Sequence, residues 1–385
     1  LSLLSLGERK AIGLRFPLPT ISGDWVWRWK NSIDQKFMQK FSSLPAMNIS
    51  LPEKADSILI PDIEKQEELD PIKRCGGCGG KIGSQTLSEV LKELTGEYKP
   101  EDAISTKWDR ADLVQSVDQL KTFLDDPYLF GRITVLHALN DIYAMNAQAH
   151  SINIALSLPY SGRNIQKREL RQLLQGVLNA CEEESVILLG GHSAEGHEMS
   201  LAVTVNGIAS NKMFLKQGLQ EDDLLIVNKP LGSGLILAAL MEQKSQGVDL
   251  AAALLWMSRS NKAAAEKLSS MDVSSCTDIS GFGLLGHLSE MLERSELLAD
   301  LYPDKVPVLP GALNLAKNGV RSSLFLQNEL ALIGDKRWSY LKEQAIWPIL
   351  VDPQTSGGLI AGIKPHHEKA AVAAGFTVIG KIKKA

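Results

Sequence analysis

Asp126-Pro-Tyr-Leu-Phe-Gly131-Arg-Ile-Thr-Val-Leu-His137-Ala-Leu-Asn-Asp141-Ile-Tyr-Ala-Met145 is the stretch from which the fold is read. Gly131–Met145 is apolar nearly all round, which marks a helix covered on every side. His137 and Asp141 stand four apart and share a face of it. A carboxylate on such a helix is costly unless it is paired or holds a metal. Asp141 is therefore either a metal ligand or one half of a buried Asp–His or Asp–Arg pair.

Outward from this helix, residues 74–385 alternate apolar strand-like runs with helical patterns. Strands are expected at Ser151–Leu158, Ser185–Leu189, Met199–Ile208, Leu224–Asn228, Pro348–Leu350, Gly358–Ile363 and Phe376–Ile379. Further helices are expected at Thr86–Leu94, Lys167–Glu182, Gly234–Glu242, Asn261–Leu268 and Leu284–Leu292. Such alternation implies an α/β or α+β architecture. A boundary falls near residue 212, giving an N-terminal domain over 74–212 and a C-terminal domain over 213–385. Residues 49–73, with Pro52, Pro61, Pro71 and the charged run Glu64–Asp70, read as a linker. In residues 1–48, Trp25, Trp29, Ile33, Phe37 and Phe41 recur at i+4, the mark of an amphipathic helix wanting a partner surface. No repeat of 20–50 residues is found.

The 385 residues and 44% hydrophobic content are enough for at least two domains with their own cores. With 22% charged residues and a net charge of -4, neither a basic nucleic-acid footprint nor an acidic disordered tail is indicated. No apolar run reaches the roughly 18 residues of a membrane span. Near the start, Glu8, Arg9 and Lys10 follow a short apolar run, which is not the order of a secretory signal. With no initiator Met, the expectation is the cut end of a longer chain. Cys75, Cys78, Cys181 and Cys276 do not make a disulfide framework, so a reducing, cytoplasmic setting is the default.

Several motifs offer chemistry. In Cys75-Gly-Gly-Cys78-Gly-Gly-Lys81 the glycines leave a mobile backbone, and a nearby ammonium favours a thiolate. The readings are a reactive Cys78 with Lys81 at a phosphate, half of a zinc site, or a plain flexible loop. Asp118 follows the strand-like run Leu113–Val117, a metal-side or turn position. Gly190-Gly191-His192-Ser193 follows the apolar run Val186–Leu189, where a phosphate could approach the backbone or the chain could simply turn. Asp278-Ile-Ser-Gly281-Phe-Gly283-Leu-Leu-Gly286-His287 matches the dinucleotide fingerprint and opens a helix. The residues before it, Val273–Thr277, make a poor buried strand, so a carboxylate for Mg²⁺-phosphate suits it better. Asp352-Pro-Gln-Thr-Ser-Gly357-Gly358 taken singly is a Pro/Gly-marked loop. With no Walker loop and no kinase signature set, the dispersed aspartates and glycine loops point to a Mg-nucleotide enzyme with a possible reactive thiol.

In their order, Cys78-Gly-Gly-Lys81, Asp126–Arg132, His137–Met145, Gly190–Ser193, Lys229-Pro-Leu-Gly232-Ser-Gly234, Thr277–His287 and Asp352–Gly358 resemble the selenophosphate synthetase (selenide, water dikinase) family. That family belongs to the aminoimidazole ribonucleotide synthetase superfamily, and the resemblance covers about residues 72–385. It implies a two-domain fold, with an N-terminal ATP-binding domain and a C-terminal α/β domain, in a homodimer. It implies ATP and selenide as substrates and Mg²⁺ as cofactor, giving selenophosphate, phosphate and AMP. Cys78 and Lys81 fall at the catalytic positions. Lys81, Asp118, Asp141, Gly190, Gly191, His192 and Ser193 fall at ATP positions, and Asp109, Asp118, Asp141 and Asp278 at Mg²⁺ positions.

Residues 1–48, with Trp25-x-Trp-x-Trp-Lys-x-x-Ile-Asp-x-x-Phe-Met38, resemble instead the tail of an FAD-dependent NADH dehydrogenase-like oxidoreductase. The Gly-rich FAD fingerprint is absent from the sequence, and no bound FAD is expected. Three departures from the family pattern surround the expected nucleotide site. Asp109-Arg-Ala-Asp112 runs directly into the Asp118 strand with too little chain for the usual hairpin. Gln119-Leu120 replace two aromatics, and Asn146 replaces a glycine. These motivate a second reading, a catalytically impaired paralogue that binds nucleotide or a partner. A third reading is a dinucleotide oxidoreductase using Gly281–Gly286.

Overall fold

The computed structural model describes residues 2–7, 10–15, 18–42, 103–108, 111–210, 212–293 and 295–384. Cys75, Cys78, Lys81, Asp109, the linker 49–73 and the expected helix Thr86–Leu94 lie outside the described residues. The chain divides into two units, Leu1–Glu68 and Leu69–Ala385.

In the first unit, β1 (Ser2–Gly7), β2 (Lys10–Arg15) and β3 (Leu18–Gly23) form an antiparallel meander, followed by α1 (Asp24–Ser42). The helix was expected; the meander was not. Val26 on α1 is fully buried, while Trp25, Trp29 and Ile33 stay exposed. Trp25, Trp29 and Ile33 are therefore not on the face that packs on the meander.

The second unit is built on two five-stranded sheets. The first has the order β4-β5-β8-β6-β7 and uses β4 (Ile104–Trp108), β5 (Ala111–Lys121), β6 (Gln148–Pro159), β7 (Ile187–Gly196) and β8 (Ser200–Ile208). Only β6 and β7 run parallel. Along β8, Leu201, Val203 and Val205 are buried under α2 (Pro127–Ala144). On the opposite face Val117 and Ile208 are exposed. Asp126 caps α2 by accepting from Leu129 N at 3.0 Å, and Pro127 pre-sets its first turn. Helix α3 (Arg163–Glu184) crosses α2 at Gly176, where a Cβ would lie 2.0 Å from Tyr128 O. No residue with a side chain permits that approach.

The second sheet has the order β10-β12-β9-β13-β11, antiparallel throughout. Its strands are β9 (Leu224–Val227), β10 (Val273–Asp278), β11 (Leu297–Leu301), β12 (Leu359–Ile363) and β13 (Thr377–Lys384). Its helices are α4 (Ser233–Met241), α5 (Gly247–Met257), α6 (Lys262–Ser269), α7 (Gly283–Met291), α8 (Ala312–Lys317), α9 (Phe325–Ala331), α10 (Trp347–Val351) and α11 (Glu368–Ala373). Every residue of β9 and β12 is buried. Helix α2 also packs on β10 and α6, so it touches the elements of both sheets.

Several expectations need correction. Pro348–Leu350 lies in the helix α10, because a short buried apolar run has no periodicity to separate helix from strand. Val273–Thr277 is a strand after all, with its last residues buried. The strand before Asp118 does have an antiparallel partner: β4 pairs with β5 from Ile104–Gln115 to Trp108–Ala111. Asn146 adopts φ 54°, the left-handed conformation that Asn tolerates in place of Gly. Its amide donates to Lys212 O at 2.7 Å and so ties down the end of α2.

Asp352–Gly358 is a buried clamp rather than a plain loop. Gln354 Oε1 accepts from Gly232 N at 2.8 Å and Ser233 N at 3.1 Å, capping α4 in place of a local side chain. Asp352 Oδ1 accepts from Ser322 Oγ at 2.6 Å. Burial pushes the Asp352 carboxyl up to about 7, against these hydrogen bonds and the nearby Arg321 charge. A folded pKa above the unfolded value of 3.8 means that the native state holds a proton the unfolded state releases. The contribution is full below that unfolded value and is lost as pH rises through about 7. Wild-type stability should thus fall relative to Asp352→Asn between pH 4 and pH 8, by at most about 4 kcal/mol. Parallel melting profiles for the two proteins over that range would contradict this.

Candidate active site

The three acids singled out in the sequence sit on elements gathered around α2. Asp118 is on β5, Asp141 on α2 and Asp278 at the end of β10, and α2 packs against both strands. Asp118 is not at a strand end as expected, since β5 continues to Lys121. Asp118 and Asp278 are buried, whereas Asp141 is half-buried. His137 Nε2 lies 3.7 Å from Asp118 Oδ2, a cross-element pair that helical spacing could not reveal.

A buried amide network fixes this arrangement. Asn140, next to Asp141, accepts through Oδ1 from Asn261 Nδ2 at 2.9 Å. Asn261 Nδ2 also donates to Gly357 O at 2.9 Å, and its Oδ1 accepts from Asn228 Nδ2 at 2.9 Å. Asn228 Oδ1 in turn accepts from Leu359 N at 2.7 Å. Gly357 is seated so closely that a Cβ would lie 2.0 Å from Ile279 O, directly after Asp278. The motifs at 137–145, 228–234, 277–287 and 352–358 thus converge in space although they are far apart in sequence.

Lys229 is the residue that sequence reasoning quoted but did not place in the site. It is buried, and its Nζ donates to Arg259 O at 2.6 Å and Ser356 O at 3.1 Å. Burial pushes its pKa down to about 7, opposed by the carboxylate of Asp278. The available signal was a lysine two residues beyond the continuous apolar run Leu224–Val227.

Other expected residues stand apart. Gly190, Gly191, His192 and Ser193 do not form a turn at a strand end; they lie inside β7, an edge strand among the described residues. Asp118, Val203, Ile154 and Gly191 share one row across the sheet. That places Gly191 three strand spacings from Asp118, about 14 Å. The next row joins His192 to Gln119 through Ala155 and Ala202, so His192 points to the face opposite Asp118. Asp112 is exposed on the hairpin, opposite Lys107. Cys181 and Cys276 are buried and in no disulfide, and burial pushes the Cys181 thiol up to about 11. A buried, undissociated thiol such as Cys181 is a poor nucleophile.

The donor set suits Mg²⁺, a hard cation that binds one or two carboxylates together with substrate phosphates and water. The fingerprint at Gly281–Gly286 does follow a strand and open α7, but β10 pairs antiparallel with β12. A nicotinamide site uses a parallel βαβ crevice, which this sheet does not contain.

Comparison with known proteins agrees with this geometry. Models for the N-terminal and C-terminal domains of AIR synthase related proteins match residues 100–209 and 182–384. The selenide, water dikinase of Desulfitobacterium hafniense is 34% identical over 307 residues, covering 75% of this chain and 86% of that protein. The chain belongs to the selenide, water dikinase family. The Clostridioides difficile selenide, water dikinase is 31% identical, covering 78% of this chain and 89% of its own. Among solved structures, thiamine monophosphate kinase from Aquifex aeolicus matches with TM-score 0.60 at 16% identity, covering 78% of this chain and 94% of that one. AaThiL complexed with AMPPCP and TMP gives TM-score 0.61 at 16% identity, covering 79% and 91%. The hydrogenase maturation protein HypE of E. coli gives TM-score 0.56 at 15% identity, covering 78% and 91%. These structural likenesses establish the fold of this dikinase family member.

Asn261→Ala should leave Asn140 Oδ1, Gly357 O and the Asn228 amide without a shared partner. The expected cost is about 3 kcal/mol of unfolding free energy, read by urea denaturation. A loss under about 0.5 kcal/mol, the scale of a surface substitution, would mean that the network does not hold the site together.

Proposed function

We propose that this chain uses ATP, selenide and water to make selenophosphate, phosphate and AMP. The observation that carries the reading is the convergence of Asp118, Asp141 and Asp278 around α2, locked by motifs shared with selenide, water dikinases. In the overall reaction the γ-phosphoryl group passes to selenium, and the β-phosphoryl group passes to water and leaves as phosphate. Asp118, Asp141 and Asp278 would hold Mg²⁺, with Asp109 as a further ligand. Bound Mg²⁺ supplies charge neutralisation to the triphosphate. Lys229 lies close enough to Asp278 for their charges to interact, and it anchors Ser356. Gly190, Gly191, His192 and Ser193 are the proposed ATP contacts on the edge strand, where backbone groups remain open to a ligand.

Cys78 and Lys81 are the proposed catalytic pair, the thiolate handling selenium and the ammonium offsetting phosphate charge. That thiol chemistry suits a reducing cytoplasm. Val117 and Ile208, exposed on the sheet face away from α2, support a homodimer. The meander and α1 are read as the tail of an FAD-dependent oxidoreductase module.

Incubation with Mg²⁺-ATP and selenide, followed by AMP assay and ³¹P spectroscopy, should show selenide-dependent AMP and selenophosphate. Nucleotide binding with no turnover would favour the impaired paralogue. Cys78→Ser should lose selenide-dependent phosphorylation while keeping ATP binding, since a serine hydroxyl does not handle soft selenium at neutral pH. Cys75→Ser should retain most activity. Equal loss in both variants, with zinc in the wild type that both lack, would replace this reading by a metal site.

Asp141→Asn should weaken Mg²⁺-ATP binding by at least about tenfold, because a neutral amide is a poor ligand for a hard cation. Isothermal titration provides the check. Unchanged affinity with a lower melting temperature would show that Asp141 serves only the buried helix.

A further inference from the structure

Asp272, His366 and His367 form a cluster on the second sheet that selenophosphate synthesis does not use. Their ligand atoms all lie within 4.8 Å of one another. Asp272 Oδ2 is 3.3 Å from His366 Nε2 and 3.4 Å from His367 Nε2. Ligands held at about 2.0–2.1 Å on the corners of a tetrahedron stand about 3.3 Å apart. Both separations match that edge, and both are longer than a good N–H···O hydrogen bond. The two imidazole rings are tilted, with centroids 4.2 Å apart, so both Nε2 atoms reach the same carboxylate oxygen.

The backbone presents this geometry without help from the side chains. Asp272 immediately precedes β10, and Lys364–His367 immediately follow β12, the strand paired with β10. Lys364 N donates to Asp272 O at 3.2 Å, closing the ladder beyond Val273 and Ile363. His367 N donates to Lys364 O at 3.0 Å, which turns both histidines back towards Asp272. The nearby Lys212 ammonium is engaged with Met271 O at 3.1 Å.

We propose that Asp272, His366 and His367 bind a zinc-class divalent transition metal, with solvent at the fourth position. Two imidazoles and one carboxylate select such a metal over Mg²⁺, which prefers oxygen alone. The metal joins residues 94 positions apart in sequence and staples the edge strand β10 to β12. The same ladder ends, at its other extremity, on the Asp278–Leu359 pair. The site is thus a structural clasp at the far end of the strand that carries Asp278.

The test uses the full chain, stripped with chelator and free of nucleotide. ZnCl₂ is titrated calorimetrically and by thermal melting, and Co²⁺ is added as a spectroscopic substitute. Wild type is compared with His366→Ala, His367→Ala and Asp272→Asn. All three positions are half-exposed or exposed, so the variants should fold. The expected result is one zinc equivalent whose affinity falls more than about tenfold in each variant. A zinc-dependent rise in melting temperature should disappear with it, and wild-type Co²⁺ should show the intense visible bands of a tetrahedral site. Zinc binding of unchanged stoichiometry and affinity in all three variants would overturn the proposal and place the metal elsewhere, Cys75 and Cys78 included. Failure of the wild type to bind zinc would overturn it equally.

Discussion

Helix α2 has almost no side that tolerates water, and the second unit is arranged around covering it. The sheet containing β5 and β8 takes one face, α3 another, and β10 with α6 the remainder. Because the cover comes from both sheets, burying α2 also sets the relation between them. Residues 137, 140 and 141 ride on that helix, so their placement follows from hydrophobic burial rather than from any affinity among polar groups. The Gly176 crossing shows how little slack remains, since α3 meets α2 backbone to backbone.

Polar groups dragged into such a core must be satisfied, and here the satisfaction doubles as alignment. Asn140 would be costly beside an apolar wall; Asn261 and Gly357 O complete it and at the same time fix the loop behind Asp278. Lys229 follows the same logic. An ammonium without solvent loses basicity, and two carbonyls plus the Asp278 charge hold it in place. Gln354 supplies the N-terminal amides of α4 with an acceptor that a local cap residue does not provide, and Asp352 accepts from Ser322 N. Motifs that look like independent glycine loops in sequence are therefore parts of one hydrogen-bonded body.

The long helices were legible because their signals are local: Pro127 and Asp126 announce α2, and its apolar character announces burial. Other features had no local signal. The pairing of β4 with β5 was missed because Ile104–Trp108 was not recognised as a strand. Gly190-Gly191 read as a turn, yet a strand accepts them where neighbouring backbone comes close. Lys229 and the His137–Asp118 pair depend on contacts across elements, which no spacing rule encodes. The clasp residues at 272, 366 and 367 were overlooked for the same reason, since the β10–β12 pairing alone brings them together.

The antiparallel second sheet bears on chemistry as well as on fold. A parallel sheet gathers its loops and helix N-termini at one edge, where a dinucleotide can lie across a crevice. An antiparallel sheet offers no such edge, so ligand contacts have to come from separate strands and from a neighbouring element. Here β10 brings Asp278 up to α2, which brings Asp141, while β5 brings Asp118 from the other side. Acids delivered by three elements to one helix can meet a ligand that carries its own oxygens, as a Mg²⁺-triphosphate does. Asn146 can stand in for glycine because it holds the left-handed turn that ends α2, five residues after Asp141, and its amide ties that turn to Lys212 O.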